Sequence, residues 1–306
     1  MKIISLDGGG IKGILTARIM ERLEAAQPGW IAQADIFAGT STGGILALAL
    51  ASGMSATECV DLYRLNGKAI FASRGIGDAL AGGLDEIFRA DYAQDGLRGV
   101  LEKTFGDKKL KDLKKRVLIP ALDFRRWCPK FFDKEQDGEE RIVDVALATS
   151  SAPTYFPSHG WAAGQDVTCY ADGGLFANNP SDSALAYASA AGSDISKARL
   201  ISFGTGATAP PAPKAMLDGQ AQLDWGYNQW ILSGPHYLLS ALFDGSVAAS
   251  HFRSREQLGE RYCRVQPALD GHVEMDDHEK IQDLLVAGDR HSLDNTATWL
   301  LGHWKD

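Results

Sequence analysis

A serine at the centre of Ile36-Phe37-Ala38-Gly39-Thr40-Ser41-Thr42-Gly43-Gly44-Ile45 has the surroundings of a nucleophile. Apolar residues run into a corner of small residues and an alanine- and leucine-rich run leaves it, so Ser41 stands where a strand turns sharply into a helix. Gly39 and Gly43 complete a G-x-S-x-G elbow, which leaves no room for side chains at the glycines and lifts the hydroxyl into the open. A helix starting behind the serine aims backbone N–H groups and its positive dipole end at an anion developing there. A serine hydroxyl is a weak nucleophile and needs a base within ~2.6–3.2 Å. Asp172, followed by Gly173 and Gly174 at the end of an apolar run, is the best-placed carboxylate. Alone, Asp-Gly is an ordinary turn signal; the elbow gives it a chemical reading. In an α/β-hydrolase a histidine would follow late in the chain, yet His251, His272, His278, His291 and His303 all lack a glycine-framed loop.

The second requirement of acyl transfer is a site for the oxyanion. Residues 3–6 form a short apolar strand candidate that runs into Asp7-Gly8-Gly9-Gly10-Ile11-Lys12-Gly13, and Ile14, Leu15, Ile19 and Leu23 then recur at helical spacing. Strand, glycine loop and helix together present unpaired N–H groups to an anion. Gly8-x-Gly10-x-x-Gly13 also matches the dinucleotide fingerprint, but that motif wants an acidic residue closing the second strand ~20 residues on, whereas Asp35 precedes that strand and the elbow follows it. A P-loop is excluded because Ile14, not Lys, follows Gly13.

The elements that must hold these groups alternate. Strand candidates at residues 3–6, 36–38, 117–122, 130–132, 167–171 and 200–203 are interleaved with helical patterns, which reads as parallel strands with helices on both faces. Ser55-Ala56-Thr57-Glu58 is a capping box opening a helix carried by Cys59, Leu62, Tyr63 and Ile70. Residues 133–140 read as a polar hairpin tip, 142–148 as a helix leading into a small-residue loop with two prolines, 262–265 as an edge strand, and 281–287 and 296–301 as closing helices. Residues 72–96, with glycines at 75, 77, 82 and 83 between Ile76, Leu80, Leu84, Ile87 and Phe88, are either an ordinary excursion or a mobile cover over an acyl groove. Pro210, Pro211 and Pro213 mark a stiff linker. Trp225, Trp230, Ile231, Tyr237, Leu238, Leu242 and Phe243 read as core or dimer packing, with a lipid-contact surface as the alternative.

With 306 residues, 45% of them hydrophobic, the chain can bury a full core. A net charge of -8 excludes a nucleic-acid-coating surface, and the basic run at 108–116 reads as a solvated face before a strand. Four scattered cysteines read as buried reduced thiols without a C-x-x-C pair. No signal peptide and no run of ~20 apolar residues is present, so a cytoplasmic protein that touches a membrane without crossing it is expected.

Jointly, the glycine loop, the elbow, Ser151-Ala152-Pro153-Thr154-Tyr155-Phe156-Pro157, and Asp172-Gly173-Gly174 with Asn178-Asn179-Pro180 resemble the patatin-like phospholipases. The likeness spans roughly residues 2–206, and Tyr262-Cys263-Arg264-Val265-Gln266 adds to it. It implies a three-layer α/β fold, a mostly parallel sheet with helices on both faces, as one domain over residues 1–306. It implies Ser41 as nucleophile, Asp172 as base in a two-residue dyad and Gly8, Gly9 and Gly10 as oxyanion hole. Lys12, Gly13, Gly39, Gly43, Gly173 and Gly174 then support the motifs, with no metal and no cofactor. Lys12 departs from the family's usual Arg, keeping the charge and losing the planar fork. The implied reaction is phospholipase A-type hydrolysis of membrane phospholipids at the inner face of the membrane. Short bacterial members also resemble effectors of antiphage systems, which implies a cyclic oligonucleotide activator and leaves room for a homo-oligomer. The rival readings are a constitutive housekeeping lipid esterase and an inactive lipid- or nucleotide-binding module.

Overall fold

Side-chain alternation along the first strand, β1 (Lys2–Leu6), already divides the molecule into layers: Ile3 packs on one side of the sheet, Ile4 and Leu6 on the other. In the computed structural model, residues 1–70, 94–163, 166–207, 219, 221–232 and 237–304 are described. The strands β2 (Ile36–Gly39), β3 (Arg116–Asp123), β7 (Arg199–Phe203) and β8 (Tyr262–Val265) join β1 in the parallel order β3-β2-β1-β7-β8. Beyond β3 the sheet continues antiparallel through β6 (Asp166–Asp172) to β5 (His159–Ala163), while β4 (Cys128–Phe132) folds back on β3. Eight strands with helices on both faces make the three-layer, mostly parallel α/β architecture expected from the motifs.

The larger layer holds α1 (Gly13–Ala26), α2 (Thr42–Ser52), α3 (Ala56–Ile70), α4 (Asp95–Phe105) and α5 (Ile142–Thr149). Helix α2 is apolar all round and buried along nearly its whole length, as a helix enclosed by others must be. Helix α3 opens on the Ser55–Glu58 capping box, with Glu58 N–H donating to Ser55 Oγ (3.2 Å) and Ser55 N–H to Glu58 Oε2 (2.7 Å). The short α6 (Gly174–Ala177) follows β6. Opposite the large layer, α7 (Ser181–Ala190) and α8 (Tyr237–Leu258) cover Ile3, Ile36, Leu118 and Leu200. Two closing helices, α9 (Ile281–Arg290) and α10 (Asp294–His303), bring Leu284 and Leu300 into the large core, and Trp304 is buried edge-on to Trp30.

Several expectations need correction. Residues 133–140 are not a hairpin tip, since β4 leads through them into α5, and Asp133 accepts from the Glu135 and Gln136 N–H groups to shape that turn. Of the cysteines only Cys59 is fully buried; Cys128, Cys169 and Cys263 are half-buried, and all four are free. The apolar stretch around residues 225–243 is not core: Tyr227, Trp230, Ile231, Leu238 and Leu242 are exposed and Phe243 is buried. Residues 94–96 lead into and begin α4, whereas the rest of the 72–96 cover and the prolines at 210, 211 and 213 lie outside the described residues.

The C-terminal strand is fastened to the glycine loop by a buried ion pair. Arg264 on β8 donates to both carboxylate oxygens of Asp7 (2.9 and 2.5 Å), to Ser202 Oγ (2.7 Å) and to Gln266 Oε1 (2.8 Å). Removing one member leaves an uncompensated buried charge. Arg264→Ala is therefore expected to lose about 3–5 kcal/mol in urea unfolding, with Asp7→Ala/Arg264→Ala recovering part of that loss.

Candidate active site

Strand β2 ends at Gly39 and α2 begins at Thr42, so the chain reverses across Thr40 and Ser41. Ser41 adopts φ 55° and ψ −124°, a conformation that costs a non-glycine residue and persists only where its surroundings over-determine it. Those surroundings are explicit. The Ser41 N–H donates to Thr149 Oγ1 (3.0 Å), which itself donates to the Pro120 carbonyl (2.6 Å). Thr40 donates through N–H to the Leu6 carbonyl (3.2 Å) and through Oγ1 to the Ala177 carbonyl (2.6 Å). A Cβ on Gly39 would strike the Gly43 carbonyl, and one on Gly43 the Leu6 carbonyl, so the elbow closes only with glycine at both places.

Asp172 ends β6 directly opposite Ala121 on β3, and its N–H donates to the Ser151 carbonyl (2.9 Å). Its carboxylate accepts from the Gly174 N–H (2.7 Å), and the Ser41 hydroxyl beside it also favours the charged form. At 1% exposure, burial pushes the carboxyl up to about 7, against the lowering pull of those two donors. Gly173 lies tight against the Pro120 carbonyl and Gly174 against Phe243 of α8. Nucleophile and base candidates are thus brought into contact. Of the late histidines, His251 meets the Tyr262 hydroxyl (3.1 Å) and His272 meets Glu274 (2.8 Å). Among the described residues no histidine hydrogen-bonds to Ser41 or Asp172.

The glycine loop is held from several sides. Gly8 N–H donates to the Asn178 carbonyl (3.0 Å), the Gly8 carbonyl accepts from Thr205 Oγ1 (3.0 Å), and Ile11 N–H donates to the Met275 carbonyl (2.7 Å). Gly10 takes φ 60° and borders the cavity beside Ser41; a side chain there would collide with Met275. The N–H groups of Gly9 and Gly10 meet no acceptor among the described residues. Gly8 therefore differs from its two neighbours, its donor being spent on Asn178. Gly13 abuts Thr42, which sets the starts of α1 and α2 against each other. Lys12 is half-buried; burial lowers its pKa, and the carboxylates of Asp244 and Glu274 act in the opposite sense.

The cavity next to Ser41 is apolar, with Ile45, Leu62, Tyr63, Val100, Leu101 and Phe156 in its wall. Ser150 adds one buried hydroxyl that has no partner among the described residues. Such a cavity takes an aliphatic chain whose polar end stops at Ser41. Sequence reasoning singled out the small-residue loop after α5 but not Thr149 as the acceptor for Ser41, nor Met275 and Arg264 as clamps on the glycine loop. Nothing local in the sequence marks them, because each acts across more than 100 residues of chain.

A family model described as patatin-like phospholipase matches residues 4–185. The chain is 33% identical to a cGAMP-activated phospholipase of Pseudomonas aeruginosa, over 86% of this chain and 77% of that one. It is 31% identical to a cGAMP-activated phospholipase of Vibrio cholerae, over 97% and 88% of the two chains. A third protein of the same description, from Escherichia coli, is 37% identical over 59% of this chain and 54% of its own length. With its elbow and glycine loop bordering one apolar cavity and its Asp-Gly-Gly strand end set beside the elbow, the chain belongs to the patatin-like phospholipase family.

Proposed function

We propose that the protein hydrolyses acyl esters of membrane phospholipids through a Ser41–Asp172 dyad. The observation that carries this reading is the Ser41 hydroxyl set beside a buried carboxyl that burial pushes up to about 7. A general base works best with a pKa near the operating pH, and no histidine is then required. Asp172 takes the proton as Ser41 Oγ attacks the ester carbonyl. The free N–H groups of Gly9 and Gly10, rather than Gly8, stabilise the oxyanion, and the protonated Asp172 returns its proton to the departing alcohol oxygen. Water, deprotonated by the same carboxylate, then releases the acyl group from Ser41. The apolar cavity receives the acyl chain, and Lys12 is the cation of the loop.

We further propose activation by a cyclic oligonucleotide, on the strength of the three relatives described as cGAMP-activated phospholipases, and action at the inner membrane face. No described helix is long and apolar enough to cross a membrane. The constitutive esterase is the rival. Comparing phospholipid vesicles with a soluble p-nitrophenyl ester, with and without cyclic GMP-AMP, decides between them: an activator that opens access to Ser41 raises vesicle hydrolysis far more than ester hydrolysis. Equal rates on both substrates, unmoved by nucleotide, would establish the constitutive enzyme.

Ser41→Ala and Asp172→Asn are each expected to lower ester hydrolysis by roughly 10⁴–10⁶, because the members of a dyad act as a unit. Substantial turnover in Asp172→Asn would return the base to a histidine. The pH profile of kcat/KM should rise through about 7, as Asp172 loses the proton that blocks it as a base. Stability moves the other way. Between the ordinary carboxylate range and about 7 the folded protein holds a proton that the unfolded chain has released, so stability falls as pH rises across that window. Asp172→Asn, uncharged throughout, should be more thermostable than the parent at pH 8 by up to the order of 4 kcal/mol, and the gain should vanish towards pH 4 in calorimetry.

A further inference from the structure

We infer that the β3–β4 turn, residues 124–127, docks the protein on the surface of an anionic phospholipid bilayer. The turn reads Phe124-Arg125-Arg126-Trp127. Strand β3 runs parallel to β2, so its C-terminal end leaves the sheet on the side where Ser41 follows β2. Ala121 lies opposite Asp172, and the turn begins three residues further on. At about 3.3 Å per residue the turn begins roughly 10 Å past the level of the dyad, on the edge of the sheet that carries Ser41.

Its chemistry is that of an interfacial anchor. Trp127 is 74% exposed and its backbone has φ 50°, a left-handed conformation that glycine or asparagine would take at much lower cost. A bulky ring at such a position, largely in solvent, is not explained by core packing. Phe124 meets it edge-on, ring centroids 5.3 Å apart, so the two rings form one platform. Val167, 66% exposed, lies on the neighbouring strand β6, where the Asp123–Tyr170 register carries it alongside the turn. Arg126, its side chain 72% exposed, stands next to Trp127 in the turn, on a protein of net charge -8. The nearby carboxylate of Asp123 is buried and taken up by the turn itself, accepting from the Arg125 and Arg126 N–H groups (2.8 and 3.2 Å) and from the Arg126 guanidinium (3.3 Å). Aromatic rings that seat at the headgroup level and arginines that meet lipid phosphates are the pairing an anionic bilayer selects. Such a patch also offsets the repulsion that the rest of an acidic protein feels from that surface.

The inference rests on the phospholipid reading, because docking here serves hydrolysis at Ser41; the test separates the two. Partitioning of the full chain carrying Ser41→Ala is measured by sedimentation with phosphatidylcholine vesicles and with vesicles of equal parts phosphatidylcholine and phosphatidylglycerol. Adding Trp127→Gly should lower partitioning on the mixed vesicles on the order of tenfold, the loss expected for one large apolar anchor. Glycine relaxes the left-handed backbone, so this variant should unfold no earlier than its parent, and lost binding cannot be lost fold. Arg126→Gln should lower binding to the mixed vesicles about fivefold and leave phosphatidylcholine binding unchanged. With Ser41 restored, each variant should hydrolyse a p-nitrophenyl ester at the parental rate and vesicles more slowly. Vesicle binding without phospholipid turnover in the parent would sink the hydrolase reading and leave the docking surface standing. Unchanged partitioning of Trp127→Gly overturns the inference, as does a shift of that variant from oligomer to monomer in sedimentation with vesicle binding intact, which would make the turn a contact between copies.

Discussion

Burying the Asp172 carboxyl costs solvation that two donors, the Gly174 N–H and the Ser41 hydroxyl, only partly return. Much of the architecture around the site follows from that imbalance. The acid must sit at the end of a strand, where a following glycine turn can present an N–H to it. It must also stand beside the corner after β2. The antiparallel arm β3-β6-β5 delivers it there. The same burial that raises the carboxyl towards neutrality makes it a base without a histidine to relay through, so the feature that strains the fold supplies the reactivity.

The rigid corner opposite is made from backbone contacts. Pro120 on β3 receives the Thr149 hydroxyl that holds Ser41, and Gly173 packs against the same carbonyl, so serine and acid are referred to one point of the sheet. The glycine loop is fixed from further away, by Asn178 after α6, by Thr205 after β7, and by Arg264 and Met275 in the last fifth of the chain. Preorganisation of this kind leaves donors aimed at a charge that appears only during reaction.

What the sequence discloses is what local sterics dictate. The elbow at 39–43 and the Asp-Gly-Gly end at 172–174 are legible because collisions with neighbouring backbone permit so few residue types. The parallel strands and α3 are legible from apolar runs and the Ser55–Glu58 capping box. Strand β5 escaped because His159-Gly160-Trp161-Ala162-Ala163 has no apolar alternation. Helix α8 escaped in its full length because its inward face carries Ser250 and Ser254, and serines that bond or pack inward break the hydrophobic stripe. Its apolar start, read as core or dimer packing with a lipid-contact surface as the alternative, is not core and stands largely in solvent. That Gly8 differs from Gly9 and Gly10 was invisible, because the acceptor, Asn178, lies far along the chain.

The pairing of Ala121 with Asp172 also sets a rule for how this family member can vary. Side chains along β6 point to opposite faces in turn, so a single residue gained or lost between Tyr170 and Asp172 would turn the carboxyl away from Ser41 to the other face of the sheet. Two residues would restore the face and displace the acid by ~7 Å along the strand, out of reach of the serine. The distance from the β3 register to the acid is therefore quantised and fixed.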